Sequence, residues 1–170
     1  MKRSVLLLTG KHFHINDAKE ILENKLNEIF ILDEIERDVM LSRVRVREYI
    51  EGNIVIYGLN TGFGKFSETI IPKDKIEELQ LNLIRSHACG TGDYLSKDIV
   101  KLAMALRISS LAKGYSGIEF RTYETLVKLF NKNIIPVVPS QGSLGASGDL
   151  APLAHIALAL IGEGYVWEDD

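Results

Sequence analysis

The sequence predicts a mainly α-helical fold with short extended segments. Three observations lead there. Several stretches carry apolar residues at helical spacing and are bounded by capping residues, glycine or asparagine. Strand signals are confined to Ser4–Leu8, Ile54–Tyr57 and the residues after Gly164. Finally, Leu150–Ile161 carries one polar residue, His155, and a helix apolar on all sides is expected to be buried.

At 170 residues and 46% hydrophobic, residues 1–170 suffice for one soluble globular domain with a sizeable core. A net charge of −3 supplies no basic excess of the kind that nucleic acid attracts. Cys89 is the single cysteine, so no internal disulfide forms and a reducing cytoplasm fits. The apolar run Val5–Leu8 is too short for the core of a signal peptide. Leu150–Ile161 is too short to span a bilayer, so no membrane partner is expected.

Taken in order, Ser4–Leu8 reads as a strand or extended entry closed by Gly10. His12 and His14 flank Phe13 without a further metal ligand at a telling spacing, and read as surface or loop histidines. Asn16 is expected to cap a first helix whose stripe is Ala18, Ile21, Leu22, Leu26 and Ile29, broken by Lys25. A second helix follows from about Asp33 to Glu51, burying Ile35, Val39, Val46 and Ile50. Its Arg43, Arg45 and Arg47 read as a solvated or inter-subunit face.

Ile54–Tyr57 leads into Gly58-Leu59-Asn60-Thr61-Gly62-Phe63-Gly64-Lys65. A phosphate loop would need glycine where Leu59 stands and Ser or Thr where Phe66 stands, so that motif fails. What is left is a glycine-rich loop presenting Tyr57 to a pocket, or a tyrosine packed at a strand end. Pro72 opens the next helix, of about Lys73–Ala88, with Ile76, Leu79, Leu83 and Ile84 as its stripe. Continued by one turn, the stripe reaches His87, which then sits near a helix end with Gly90 and Gly92 following. A histidine so placed is either a satisfied core side chain or one entering a cleft.

Ser96 is expected to cap a helix burying Ile99, Leu102, Ala103 and Leu106, ended by Gly114. The helix Glu119–Phe130 buries Phe120, Tyr123, Leu126, Val127 and Phe130, and Asn131-Lys132-Asn133 stops it. Pro136 and Pro139 make Ile134–Ser140 extended, though not a central strand. Asp149 caps the last helix, Gly162 and Gly164 end it, and Tyr165-Val166-Trp167 begins an extended piece with no evident strand to pair against.

The segment Gly142-Ser143-Leu144-Gly145-Ala146-Ser147-Gly148-Asp149 is richer in small residues than a plain loop requires. In a hard bend, the Gly148 nitrogen can reach the Ala146 carbonyl carbon. Ring closure with loss of two waters would turn Ser147 into an exocyclic methylidene, an electrophile made from the chain itself. A glycine-rich helix entry is the ordinary alternative. The N–H groups opening the helix after Asp149 would stabilise charge on such a ring.

The run GSLGASGDLAPLAHIALALIGEG over Gly142–Gly164 closely resembles the prosthetic-group segment of the aromatic amino acid ammonia-lyases, and within them the histidine ammonia-lyases. YGLNTGFG over Tyr57–Gly64 and SHACG over Ser86–Gly90 extend the resemblance. It implies the helical ammonia-lyase fold of the fumarase/aspartase-like superfamily, with residues 1–170 as its N-terminal portion and the C-terminal helical part absent. It also implies 4-methylidene-imidazole-5-one formed from Ala146, Ser147 and Gly148, with the substrate amine adding to the carbon derived from Ser147. Tyr57 is implied as the base that takes the β-proton, and His87 as the residue that contacts the substrate imidazole. An ordinary phenol titrates at about pH 10, so a tyrosine base depends on nearby positive charge or a helix end. The expected substrate is L-histidine, deaminated to urocanate in a cytoplasmic homotetramer. Ser86-His87 also occurs in related aminomutases, so a tyrosine ammonia-lyase or aminomutase stays open, as does a non-catalytic helical module. The 170-residue chain alone is expected to be inactive, with the ring unformed.

Overall fold

The computed structural model describes residues 4–8, 13–143 and 148–168. It is mainly helical. Strand β1 (Ser4–Leu8) leads through helix α1 (Ile15–Leu22) to strand β2 (Leu26–Ile31), and helix α2 (Asp33–Glu51) follows. Helix α3 (Ile76–His87) leads to strand β3 (Thr91–Tyr94) and helix α4 (Lys97–Leu111). Helix α5 (Phe120–Asn131), strand β4 (Pro139–Gln141) and helix α6 (Leu150–Leu160) complete the order.

The predicted first helix is shorter than its stripe implied. It is capped by His14 rather than Asn16, with the His14 N–H donating to Asp17 Oδ2 at 2.7 Å. It ends at Leu22, where Asn24 turns left-handed at φ 57°. Leu26 and Ile29 then belong to β2, which runs parallel to β1 with Leu6 opposite Ile29. The crossover through α1 satisfies the rule that parallel strands need a long connection. The Asn131 side chain stands in as a further strand at the outer edge. Its Oδ1 accepts the Ile29 N–H at 2.8 Å, and its Nδ2 donates to the Ile29 carbonyl at 2.9 Å. These two bonds satisfy β2 in a way helical periodicity could not reveal.

The core joins α1, β2, α2, α4 and α5 through Ile21, Ile29, Val39, Met104, Ile108, Tyr123, Leu126 and Phe130. The inward face of α4 differs from the expected one. Val100, Met104, Ala105, Ile108 and Leu111 are buried, whereas Ile99 and Leu106 are about half exposed (50% and 48%). Because α4 is apolar around most of its surface, periodicity left its rotation undecided. The choice buries Lys101, whose ammonium donates to Oδ1 of Asn27 at 2.7 Å and of Asn133 at 2.9 Å. The α5 expectation holds at Tyr123, Leu126, Val127 and Phe130, which are buried, whereas Phe120 is half-buried. Burial pushes the Tyr123 phenol up to about 12.

Arg43 and Arg47 of α2, 31% and 58% exposed, keep solvent contact as expected and also pair within the chain with Glu119. Arg43 Nε donates to Glu119 Oε1 at 2.7 Å, and Arg47 Nη2 donates to the same oxygen at 2.9 Å. Arg43 also reaches the Gly117 carbonyl at 3.2 Å. Arg45 remains exposed.

The expected extended piece at Ile54–Tyr57 is not a strand. Asn60 takes its backbone groups: Oδ1 accepts the Ile56 N–H at 2.8 Å and Nδ2 donates to the Ile54 carbonyl at 2.9 Å. Conversely, Tyr165–Trp167 does find a partner. The Val137 N–H donates to the Tyr165 carbonyl and the Trp167 N–H to the Ile135 carbonyl, both at 2.9 Å. Strand β3, unseen in the sequence, pairs antiparallel with β4, Thr91 opposite Gln141. Nor is α6 buried on all sides: Ala151, Ala154 and Ile156 are, while Leu150 is 48% exposed.

Candidate active site

Tyr57 stands on the loop between α2 and α3 and is 63% exposed. Its ring meets the edge of Phe63, centroids 5.9 Å apart, and its hydroxyl oxygen lies 3.5 Å from the donating Gly64 N–H. The loop is shaped beneath it. Asn60 and Thr61 are buried, and Thr61 pairs with Ile70. A Cβ on Gly62 would lie 2.6 Å from the Phe66 carbonyl oxygen, so only glycine fits there. The asparagine and threonine between the glycines are thus the internal scaffold that holds Tyr57 outward.

His87 is the last residue of α3 and is half-buried. Its Nδ1 lies 2.8 Å from the Leu83 carbonyl, which can only accept, so Nδ1 carries the proton. The Ser86 hydroxyl, itself bonded to Leu83, lies 3.1 Å from the same nitrogen. This arrangement orients the ring and turns Nε2, a bare acceptor in the neutral imidazole, away from the helix. The stripe of α3 predicted from the sequence is only half-buried, and it packs against α6. At the far side of that contact, Arg85 forks onto Glu163, with Nη2 to Oε1 at 2.6 Å and Nε to Oε1 at 3.1 Å. The hydrogen bond from Arg85 holds the Glu163 carboxyl below its ordinary range.

Ala146 and Ser147 lie outside the described residues. Gly148 lies within them, at φ 76°, and a Cβ there would meet open space, so glycine is required for its conformation rather than for room. Before it, the Ser143 hydroxyl donates to Asp149 Oδ1 at 2.6 Å. Asp149 occupies the N-cap position of α6 without a side-chain capping bond. Its carboxylate is instead the tie that draws the segment's ends together.

The structure brings the turn that follows His87 against Gly142, the entry to this segment. The turn after α3 runs into β3, β3 pairs with β4, and β4 leads directly to Gly142. A Cβ at Gly142 would lie 3.1 Å from the Gly90 Cα. Tyr57 belongs to a separate loop whose hydrogen bonds are within residues 49–71. Sequence reasoning did not find His155, whose Nε2 accepts the Gly90 N–H at 3.1 Å. The available signal was its isolation as the one polar residue on α6. Burial lowers its pKa from the ordinary 6.5.

The helical fold and this glycine-rich neck define a member of a known class. The sequence profile of the aromatic amino acid lyases matches residues 13–170, and the chain belongs to that family. It is 45% identical over 159 residues to the histidine ammonia-lyase of Caldanaerobacter subterraneus subsp. tengcongensis, covering 94% of this chain and 31% of that protein. It is 50% identical over 162 residues to the histidine ammonia-lyase of Staphylococcus saprophyticus, covering 95% of this chain and 32% of that protein. The solved structure of tyrosine aminomutase from Streptomyces globisporus superposes with a TM-score of 0.90 at 36% identity, over 98% of this chain and 31% of the other. The chain therefore spans about a third of the length of the curated relatives it matches.

Proposed function

We propose that these residues form the N-terminal portion of a histidine ammonia-lyase, which removes ammonia from L-histidine to give urocanate. The observation that carries this reading is the junction of the His87 turn with the Gly142–Asp149 neck through β3 and β4. In this reading the side chain that selects the substrate precedes a turn packed on Gly142, the entry to the segment suited to ring closure. The similarity to histidine ammonia-lyases supports the choice of substrate.

In this reading Ala146, Ser147 and Gly148 supply 4-methylidene-imidazole-5-one, and that ring provides an electrophilic carbon able to hold the substrate amine. His87 accepts the substrate imidazole N–H at Nε2, its ring fixed by Leu83 and Ser86. Tyr57 takes the β-proton as general base. The first N–H groups of α6, immediately after Asp149, would stabilise negative charge developing on the segment before them. The enzyme is expected to be a cytoplasmic homotetramer. Among the described residues no helix is long and apolar enough to cross a membrane.

A second reading, an aminomutase acting on tyrosine, draws on the 0.90 superposition with tyrosine aminomutase. Incubating the full-length protein with L-histidine and L-tyrosine separates the two. Urocanate with free ammonia is the expected product. A β-amino acid or coumarate as the main product, with no urocanate, would overturn the histidine assignment.

A further inference from the structure

Gly90 and His155 are 65 positions apart and joined by one hydrogen bond, from the Gly90 N–H to His155 Nε2 at 3.1 Å. The contact is crowded. A Cβ on Gly90 would lie 3.1 Å from that nitrogen, 3.1 Å from Pro139 Cβ and 3.2 Å from the Gln141 carbonyl oxygen. On the other side, a Cβ on Gly142 would lie 3.2 Å from Ala151 Cβ. Three segments thus close on one point: the turn after α3, the entry to the glycine-rich neck and the first turns of α6.

The turn begins at His87. Ala88 has φ −77° and ψ 58°, and the Cys89 N–H donates back to the His87 carbonyl at 2.8 Å, an inverse γ-turn. Only Ala88 and Cys89 separate His87 from the anchored Gly90 amide. At the other end, α6 starts two positions after Gly148 and carries His155 on its second turn. His155 is the single polar side chain of α6, and it is directed at this amide.

Resting on the reading of His87 as the residue that meets the substrate ring, we propose that His155 is a positioning residue. By accepting the Gly90 N–H, it locks the turn that follows His87 onto the helix that follows Ala146-Ser147-Gly148. It thereby sets where His87 stands relative to that segment. The role needs an acceptor at the Nε2 position and therefore the neutral imidazole protonated on Nδ1. Burial, which disfavours the imidazolium, works in the same direction.

The test uses the full-length protein with three variants. His155→Leu removes the acceptor, His155→Asn ends short of the Nε2 position, and His155→Gln returns an oxygen close to it. The first readout is amide exchange of Gly90, which does not depend on turnover. Exchange is expected to be slow in the wild type and in His155→Gln, and fast in the other two. The second is kinetics with whichever amino acid the wild type deaminates. For His155→Leu and His155→Asn, KM is expected to rise about tenfold, the effect of one hydrogen bond, with a smaller change in kcat. His155→Gln is expected to restore KM, and intact mass to show the same loss of two waters throughout. Unchanged exchange and KM in His155→Leu and His155→Asn would overturn the proposal, as would an equal KM rise in all three variants. A wild type that acts on an amino acid other than histidine would overturn the substrate reading instead, and the KM comparison in that substrate would still decide the role of His155.

Discussion

The Ser143 hydroxyl donates to Asp149 Oδ1 at 2.6 Å, tying together two residues six positions apart across the segment that holds Ala146, Ser147 and Gly148. A neck of this kind shortens the loop without contributing an atom to any ring made within it. Ser147→Ala in the full-length enzyme is therefore expected to remove nearly all activity with the fold intact, because no methylidene can form. Ser143→Ala is expected to be far milder, lowering the fraction of ring-bearing protein but leaving the chemistry available. Intact mass counts ring formation as the loss of two waters, and circular dichroism checks the fold. Normal activity in Ser147→Ala would sink the assignment. The 170-residue chain by itself is expected to keep its full, uncyclised mass.

Tyr57 is held outward by a loop whose own polar groups are satisfied by Asn60 and Thr61. Tyr57→Phe is therefore expected to leave the loop in place and the ring formed. Loss of the base should lower kcat on the order of 10²–10⁴-fold. Steady-state rates and intact mass on the same sample check both halves of this expectation.

Glu119 accepts from Arg47 and Arg43, and those bonds, the Arg47 bond foremost, lower its pKa from the ordinary 4.5. A carboxyl depressed in the folded state stabilises that state above the unfolded pKa, and the contribution is lost as pH falls through the lower folded value. Because Glu119 is 43% exposed, the contribution is expected to be about 1 kcal/mol or less. Urea unfolding of wild type and Glu119→Gln at pH 7 and near pH 3 should show the gap between them shrinking at the acid end.

Asn131 supplies both hydrogen bonds at the outer edge of β2. Asn131→Ala leaves the Ile29 N–H and carbonyl without these partners, at a cost of about 1–3 kcal/mol for each group that water cannot reach. Thermal or urea unfolding measures the loss. A stability within about 0.5 kcal/mol of wild type, the range of ordinary surface changes, would show that the bonds are replaceable.

Much of the helical framework was legible because it depends on local periodicity and caps. The α2 and α5 helices fall where their boundaries put them, α3 follows a 3-10 turn over Lys73–Lys75 and begins at Ile76, and Ser96 opens α4 as expected. The motif residues Tyr57, His87 and Gly148 could likewise be picked out from short runs. The rotation of α4, the strand character of Leu26–Ile31, the pairing of Tyr165–Trp167 and the Gly90–His155 contact could not. Each depends on a partner distant in sequence: Asn133 for the buried Lys101, Asn131 for Ile29, Ile135 for Trp167 and Gly90 for His155. A side chain's preference for helix or strand is a local energy of a fraction of a kcal/mol per residue, and a single long-range hydrogen bond of about 1 kcal/mol outweighs it. Sequence by itself therefore determined where most of the helices lie and which residues are candidates for the site. Tertiary structure alone decided which faces turn inward and how the turn after His87 packs on Gly142 and His155, because those choices belong to pairs of groups that only folding brings within reach.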